Sequence, residues 1–160
     1  MRADHVSAFA LIVFAACSSH DDARVGADSS LARLQQRGGM AMGVNQYTSQ
    51  HVFEPLADGG RIVLERKESD SAGQATIRTH MRTIALAFGR GDFALPGFVH
   101  ATNEVPGTSV MKRLRADITY SPRDLPGGGE VVISSRNPDA VAAIHEFLAF
   151  QRMDHRAGMH

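Results

Sequence analysis

Histidine and methionine carry the side chains of this sequence that could do chemistry beyond folding. The 160-residue chain contains 8 His and 7 Met but a single Cys. Imidazole and thioether groups suit copper, especially its reduced ion, where no thiolate is available. We therefore expect a metal site with copper as the metal, and the candidate ligands are His80, His100, Met111 and His145.

The candidate histidines lie at the edges of apolar patterns. His80 precedes Met81, and His145 follows Ile144, each on the flank of an apolar helical stripe. His155 continues the apolar line of the last predicted helix but is not among the candidate ligands. No two histidines have the His-x-x-x-His spacing of a helical ligand pair, so the site has to be assembled from distant segments.

Other roles for these residues stay open at the level of sequence. A histidine on a helix flank often hydrogen-bonds a backbone group and a helical Met often fills the core, which would suit a non-enzymatic interaction or assembly module. Haem b uses the same ligands but needs a large apolar pocket, so it ranks below copper. A small-molecule pocket enzyme is the third alternative, although the chain lacks a Gly-x-Ser-x-Gly nucleophile motif.

The charge of the chain argues against one class of partner. Lys plus Arg and Asp plus Glu number 17 each, so the formal net charge at pH 7 is zero. A protein that binds nucleic acid by neutralising phosphates needs a basic face. We therefore expect no nucleic-acid partner. The hydrophobic content of 43% is that of a folded globular domain.

The first 17 residues have the pattern of a bacterial export signal. Arg2 precedes an apolar run, residues 6–16, which is too short to span a bilayer but has the length of a signal-peptide core. The run ends in Phe14-Ala15-Ala16-Cys17, which resembles the lipobox of bacterial lipoproteins. This resemblance implies that Cys17 is lipidated and that the protein is a periplasmic or outer-membrane lipoprotein held to the membrane by its N-terminal lipid anchor.

The rest of the chain divides by composition into a tether, one domain and a tail. Residues 18–43 are small and polar, which predicts a flexible tether. Residues 44–156 carry the patterning of a single α+β domain, and residues 157–160 form a short tail. A mainly antiparallel sheet with two helices on one face is the economical packing for that domain.

The first half of the domain has the pattern of a hairpin followed by a helix. Strand patterns flank Asp58-Gly59-Gly60, which predicts the hairpin turn. A capping box at Ser71 and Gln74 starts a helix that runs to Phe88. Residues 92–107 are rich in Gly and Pro and predict a loop in which residues 98–100 are extended.

The second half repeats the same order. Strand patterns flank Gly127-Gly128-Gly129, and Asn137-Pro138 starts the last helix. On that helix Phe147 lies outside the apolar stripe. The two glycine turns correspond, and His80 in the first helix corresponds to His145 in the second. These matches favour an internal ββα duplication.

One further set of residues runs through both halves. It comprises Ile77-Arg78-Thr79-His80, Gly91-Asp92-Phe93, Phe98-Val99-His100, Pro106-Gly107, Met111 and the segment AIHEFLAFQ at 143–151. Between Gly43 and Gly158 this set resembles a family of small exported bacterial proteins, some of which carry the name aspartate carbamoyltransferase. That transferase binds carbamoyl phosphate through a Ser-Thr-Arg-Thr loop, and the sequence has no such tetrapeptide. The resemblance therefore implies no catalytic residue, and the sequence favours a protein that is not an enzyme.

Overall fold

The structure is a computed structural model that describes residues 19–45, 48–66 and 69–156. The expected signal peptide with Cys17 and the expected tail at 157–160 lie outside the described residues. None of the helices in the described ranges combines the length and the apolar character needed to cross a membrane.

Five α-helices and four β-strands make up the described ranges. In chain order they are α1 (Ser19–Met42), β1 (Ser49–Leu56), β2 (Gly59–Arg66), α2 (Ser71–Gly89), α3 (Ala94–His100), α4 (Thr108–Arg113), β3 (Ile118–Leu125), β4 (Gly128–Ser135) and α5 (Pro138–Asp154). A 3₁₀ turn, Arg115–Asp117, joins α4 to β3.

The four strands form one antiparallel sheet in the order β1-β2-β4-β3. Alternate residues of a strand point to opposite faces, and both α2 and α5 pack on the same face. The apolar strand residues buried there are Phe53, Ile62, Leu64, Ile118, Val131 and Ile133. The predicted α+β class, with an antiparallel sheet and two main helices on one face, is confirmed.

Each main helix packs on the hairpin of the other half. α2 follows β1 and β2 but lies over β3 and β4, whereas α5 follows β3 and β4 but lies mainly over β1 and β2. Two glycines allow this close approach. A Cβ atom at Gly60 would collide with Leu148 of α5, and one at Gly129 would lie 3.2 Å from Met81 Cγ of α2. Because each helix packs on the hairpin of the other half, the two halves share one core.

The two halves are related by a pseudo-two-fold axis through the centre of the sheet. Ser49 pairs with Arg66 and Ile118 pairs with Ser135, so a shift of 69 positions superimposes one hairpin on the other. The same shift exchanges β2 and β4 and leaves the pairs between them unchanged. The pair Ile62 and Val131 lies at the centre of this ladder. The glycine pairs at 59–60 and 128–129 begin the second strand of each hairpin and do not form its turn.

The correspondence between the two main helices differs from the predicted one. The connection before α5 is two residues shorter than the one before α2, so the helices superimpose with a shift of 67. His145 therefore corresponds to Arg78. The contacts agree, because His145 Nε2 donates to the Leu56 carbonyl at 2.8 Å and Arg78 Nη2 donates to the Leu125 carbonyl at 2.8 Å. His80 corresponds to Phe147, and the predicted match of His80 with His145 is wrong.

The segment expected as a flexible tether is the helix α1. Its second half packs on α3, with Leu34 and Gly38 buried, and Arg37 Nε donates to the Val99 carbonyl at 2.7 Å. The buried positions recur at helical spacing but include a glycine, so the apolar signal in the sequence is weak.

Three local predictions also differ from the structure. The region expected as a loop with an extended segment contains α3, because Pro96 stands in the first turn, where its missing N–H is not needed. α2 begins one residue before the expected capping box: Asp70 is the N-cap, and its Oδ1 accepts from Gly73 N at 2.9 Å. Phe147 is buried, because Phe88 of α2 and Phe93 pack against its ring and α4 packs on the same helix.

Ile144 offers a direct test of this core. Its side chain is 0% exposed beneath α5, whereas Leu86 on α2 is 64% exposed. We expect Ile144→Ala to lower the free energy of unfolding by about 2–5 kcal/mol, because it removes buried apolar volume and leaves a cavity. The matched control Leu86→Ala should change it by less than about 0.5 kcal/mol. Chemical denaturation measures both, and equal effects would contradict the packing described.

Candidate metal site

A cavity with a volume of about 80 Å³ lies between the sheet and the helices α1, α2, α3 and α5. Its walls are mostly apolar, but four histidines of the described ranges line it. They are His51, His80, His100 and His155. Since a buried water needs about 10–15 Å³, the cavity has room for several waters or for a small ligand.

His51 and His155 form a stacked pair at one side of the cavity. His51 lies on the helix-facing side of β1, opposite Leu64, and His155 caps the C-terminus of α5. Their ring centroids are 5.4 Å apart with an interplanar angle of 21°, and Phe53 packs beside both rings. The Nε2 atom of His51 is buried and has no hydrogen-bond partner among the described residues. Gln35 Oε1 and the Tyr120 hydroxyl are also buried without a partner among these residues, and a water or a ligand can satisfy each of these atoms.

His100 is held by two polar side chains of α5. Its Nδ1–H donates to the Asp154 carboxylate, and its Nε2 lies 2.9 Å from Gln151 Oε1. The ring stands perpendicular to His155, with the centroids 5.1 Å apart. A carboxylate on one ring nitrogen fixes the orientation of an imidazole, as it does for histidines that ligate metals. His100 is thus the most firmly oriented histidine of the four.

His80 and two thioether side chains complete the polarisable lining. His80 projects from α2, where it precedes Met81 of the core, and Met42 comes from the end of α1. The cavity therefore contains imidazole and thioether groups from four helices and one strand. These two ligand types suit reduced copper.

Burial keeps three of these imidazoles neutral. It lowers the pKa of His80 to about 4. Burial and the nearby His80 together lower the pKa of His51 to about 4. Burial, and then His51 and His100, lower the pKa of His155 to about 3. At neutral pH each of these rings therefore carries a nitrogen lone pair, which is the form that binds a metal.

The pseudo-symmetry shows what packing alone requires at these positions. Tyr120 and Phe88 occupy the places in the other half that correspond to His51 and His155, and their rings also contact each other, with centroids 5.9 Å apart. An aromatic pair therefore packs at the equivalent place in the other half, where the Tyr120 hydroxyl is also buried without a hydrogen-bond partner among the described residues. Gln151 likewise corresponds to the buried, apolar Ile84. The imidazoles and the amide are thus additions beyond what the core needs.

Two of the four predicted ligands, His80 and His100, line the cavity. Both ring nitrogens of His100 are already bonded to Asp154 and Gln151, so His100 as placed has no nitrogen for a metal. Met111 is a fully buried core residue outside the cavity lining, and His145 bonds to the Leu56 carbonyl away from it. No three His, Cys, Asp or Glu side chains of the described ranges stand close enough together to hold a metal ion as they are.

His51 and His155 are not among the ligands predicted from the sequence. A signal was present for each, because His51 alternates with Phe53 on one face of a strand pattern and His155 continues the apolar line of α5. Both features place an imidazole in the core, where a histidine needs a partner. The contact between the two residues is long-range, so only the fold reveals it.

No protein-family model, no curated protein and no solved structure matches this chain.

Proposed function

We propose that this protein is an exported, lipid-anchored domain that binds a reduced copper ion in the histidine-lined cavity. The observation that carries the proposal is the unpartnered, buried Nε2 of His51 beside His155, with both rings neutral. His51 and His155 are the proposed first ligands, and His80 is the third. His100, bound to Asp154, supports the ring of His155 from the side.

The spacing of the rings agrees with shared coordination. An imidazole nitrogen about 2.0 Å from a metal puts its ring centroid about 3.2 Å away, so two imidazoles at trigonal or tetrahedral angles have centroids roughly 5.2–5.5 Å apart. The centroids of His51 and His155 are 5.4 Å apart. The rings are stacked at an interplanar angle of 21°, so they must rotate before both nitrogens can point at one ion.

The neutrality of the site favours the reduced ion. The proposed ligands carry no charge, and the walls of the cavity are mostly apolar. A singly charged ion costs less to bury there than Cu²⁺ or Zn²⁺, because no ligand charge offsets the second positive charge. The thioethers of Met42 and Met81 in the lining also favour Cu⁺ over harder ions.

One observation favours a second candidate, a small-molecule enzyme. The Asp154 carboxylate orients His100 as a carboxylate orients the imidazole in acid–base catalysis. Such an enzyme would act on an organic substrate and would show no preference for copper. Haem b is not proposed, because ligand pockets for large molecules measure roughly 300–1,000 Å³ and this cavity measures about 80 Å³.

Substitution of His51 tests the copper proposal. His51→Phe keeps an aromatic ring, as at the corresponding Tyr120, and removes the nitrogen. We expect the affinity for Cu⁺ to fall at least about tenfold, since even loss of a group that only orients a ligand costs about 10–100-fold. Anaerobic competition with a chromogenic Cu⁺ chelator measures the affinity of the full chain.

The matched control is His145→Arg. It removes an imidazole outside the cavity and can keep the carbonyl contact, as Arg78 does in the other half. This variant should bind Cu⁺ like the unaltered chain. A chain that does not bind Cu⁺, or one in which His145→Arg weakens binding and His51→Phe does not, would exclude the proposed site.

The pH dependence of binding provides a second test. Protons compete with copper only at a pH low enough to protonate the imidazoles of the folded protein. Since the pKa values of His51 and His80 are lowered to about 4, that pH is well below neutral. We expect Cu⁺ affinity to be nearly constant from pH 7 to about 5 and to fall below that, whereas exposed histidines would lose copper from about pH 6.5. The same competition assay at each pH measures this, and a decline that begins near 6.5 argues against buried ligands.

Folding must be monitored in that experiment. The unfolded chain takes up protons near the ordinary histidine pKa of about 6.5, before the folded chain does. Stability therefore falls as the pH drops from about 6.5 towards 4. Circular dichroism at each pH separates loss of copper from loss of fold.

Cys17 tests the proposed anchor. Replacing it by Ser removes the thiol that would be acylated, so Cys17→Ser should release the protein from the membrane fraction. Ser18→Ala, next in the chain, is the control and should leave the protein membrane-bound. Membrane fractionation and the intact mass of the mature protein are the measurements. A mature N-terminus elsewhere, with no lipid mass, would disprove lipidation.

A further inference from the structure

The face of the sheet opposite α2 and α5 is open in the described part of the chain. The described helices pack on the other face or on one another. On the open face Val63 and Glu130 are nearly buried, Val52 and Val132 are half-buried, and Thr119 is exposed. This face is therefore accessible to a partner.

A row of alternating charges crosses the open face diagonally. In strand order it consists of Glu54, Arg61, Glu130 and Arg123 on β1, β2, β4 and β3. Arg61 Nε lies 2.6 Å from Glu54 Oε2, and Arg61 and Arg123 each place a nitrogen 3.7 Å from the Glu130 carboxylate. The signs along the row are negative, positive, negative and positive.

The signs of the charges along this row are opposite to the signs read from its other end. The shift of 69 positions that relates the two hairpins places Glu54 on Arg123 and Arg61 on Glu130. Reversing the row about its centre therefore puts each charge against one of opposite sign. A surface with this property is complementary to a second copy of itself.

We propose that a second copy of this chain docks on the open face and forms a symmetric dimer. The two-fold axis lies between the two sheets and runs perpendicular to the charged row. Glu54 then faces Arg123 of the second copy, and Arg61 faces Glu130 of the second copy. Val63 and Val132 lie closest to the axis and meet their own counterparts. Each of the two charged contacts occurs twice, as an isologous interface requires.

The environment of Glu130 supports this arrangement. Its side chain is only 8% exposed, yet both of its arginine partners lie 3.7 Å away, beyond hydrogen-bond distance. A buried carboxylate is costly unless it is closely paired. In the dimer, Arg61 of the second copy supplies a further guanidinium to this carboxylate.

The size of the face sets the expected strength of the dimer. Four strands of eight residues cover roughly 500 Å² at the usual strand spacing and rise. Two such faces bury roughly 1,000 Å², the lower limit for a specific interface. We therefore expect a weak, reversible dimer whose charged contacts weaken as salt is added.

Charge reversal at the two ends of the row tests the dimer. Glu54→Arg and Arg123→Glu each place like charges opposite one another, so each variant alone should be monomeric. An equimolar mixture should form a heterodimer, because the positive charge introduced at position 54 of one chain then faces the negative charge introduced at position 123 of the other. The double variant should dimerise with itself. Sedimentation velocity of the full chain over a concentration series measures these states.

The variants separate the interface from internal effects. Each single variant also places like charges next to each other within one chain, and the double variant keeps both of these pairs. If the double variant dimerises, the recovery must therefore come from contacts between the two chains. Arg82→Glu, in the exposed pair with Asp124 away from the open face, is the control and should still dimerise. A salt series on the unaltered chain provides a test that needs no variant.

Two results would overturn the proposal. One is a chain that stays monomeric at every concentration and salt level. The other is a dimer that either single reversal leaves intact, or one that neither the mixture nor the double variant restores.

Discussion

The close contact between each main helix and a central strand is the constraint on which the rest of this structure depends. α5 can lie against β2, and α2 against β4, because Gly60 and Gly129 have no side chain where Leu148 and Met81 pack. Each helix is thereby fixed on the hairpin of the other half. The two helices thereby cover a single core centred on Ile62 and Val131.

The candidate site arises where the pseudo-symmetry breaks. In one half the aromatic pair is Phe88 and Tyr120, and in the other it is His155 and His51. The segment between α2 and β3 adds α3, which has no counterpart after α5 in the described ranges and carries His100 to the same cavity. Packing explains why a ring lies at each position, but it does not explain why the rings are neutral imidazoles. A bound copper ion would use their lone pairs and would give the unpartnered nitrogen of His51 a partner.

Local patterns predicted the strands, the glycine-bearing hairpins and the two main helices, because alternation and capping act over a few residues. His80 and His100 were also identified from sequence, as polar residues on apolar flanks. His51 and His155 were not, since they lie 104 positions apart and meet only through the packing of α5 on β1. The match of His80 with His145 failed because the shorter connection before α5 shifts the helix correspondence by two residues.

X-ray absorption spectroscopy of the full chain loaded with one equivalent of Cu⁺ tests the central claim most directly. The account predicts at least two imidazole rings bound through nitrogens at about 2.0 Å, seen by their multiple scattering. It also predicts one ring fewer in His51→Phe. A spectrum with no imidazole ligands, or an imidazole count unchanged in that variant, would contradict the assignment of the cavity as the copper site.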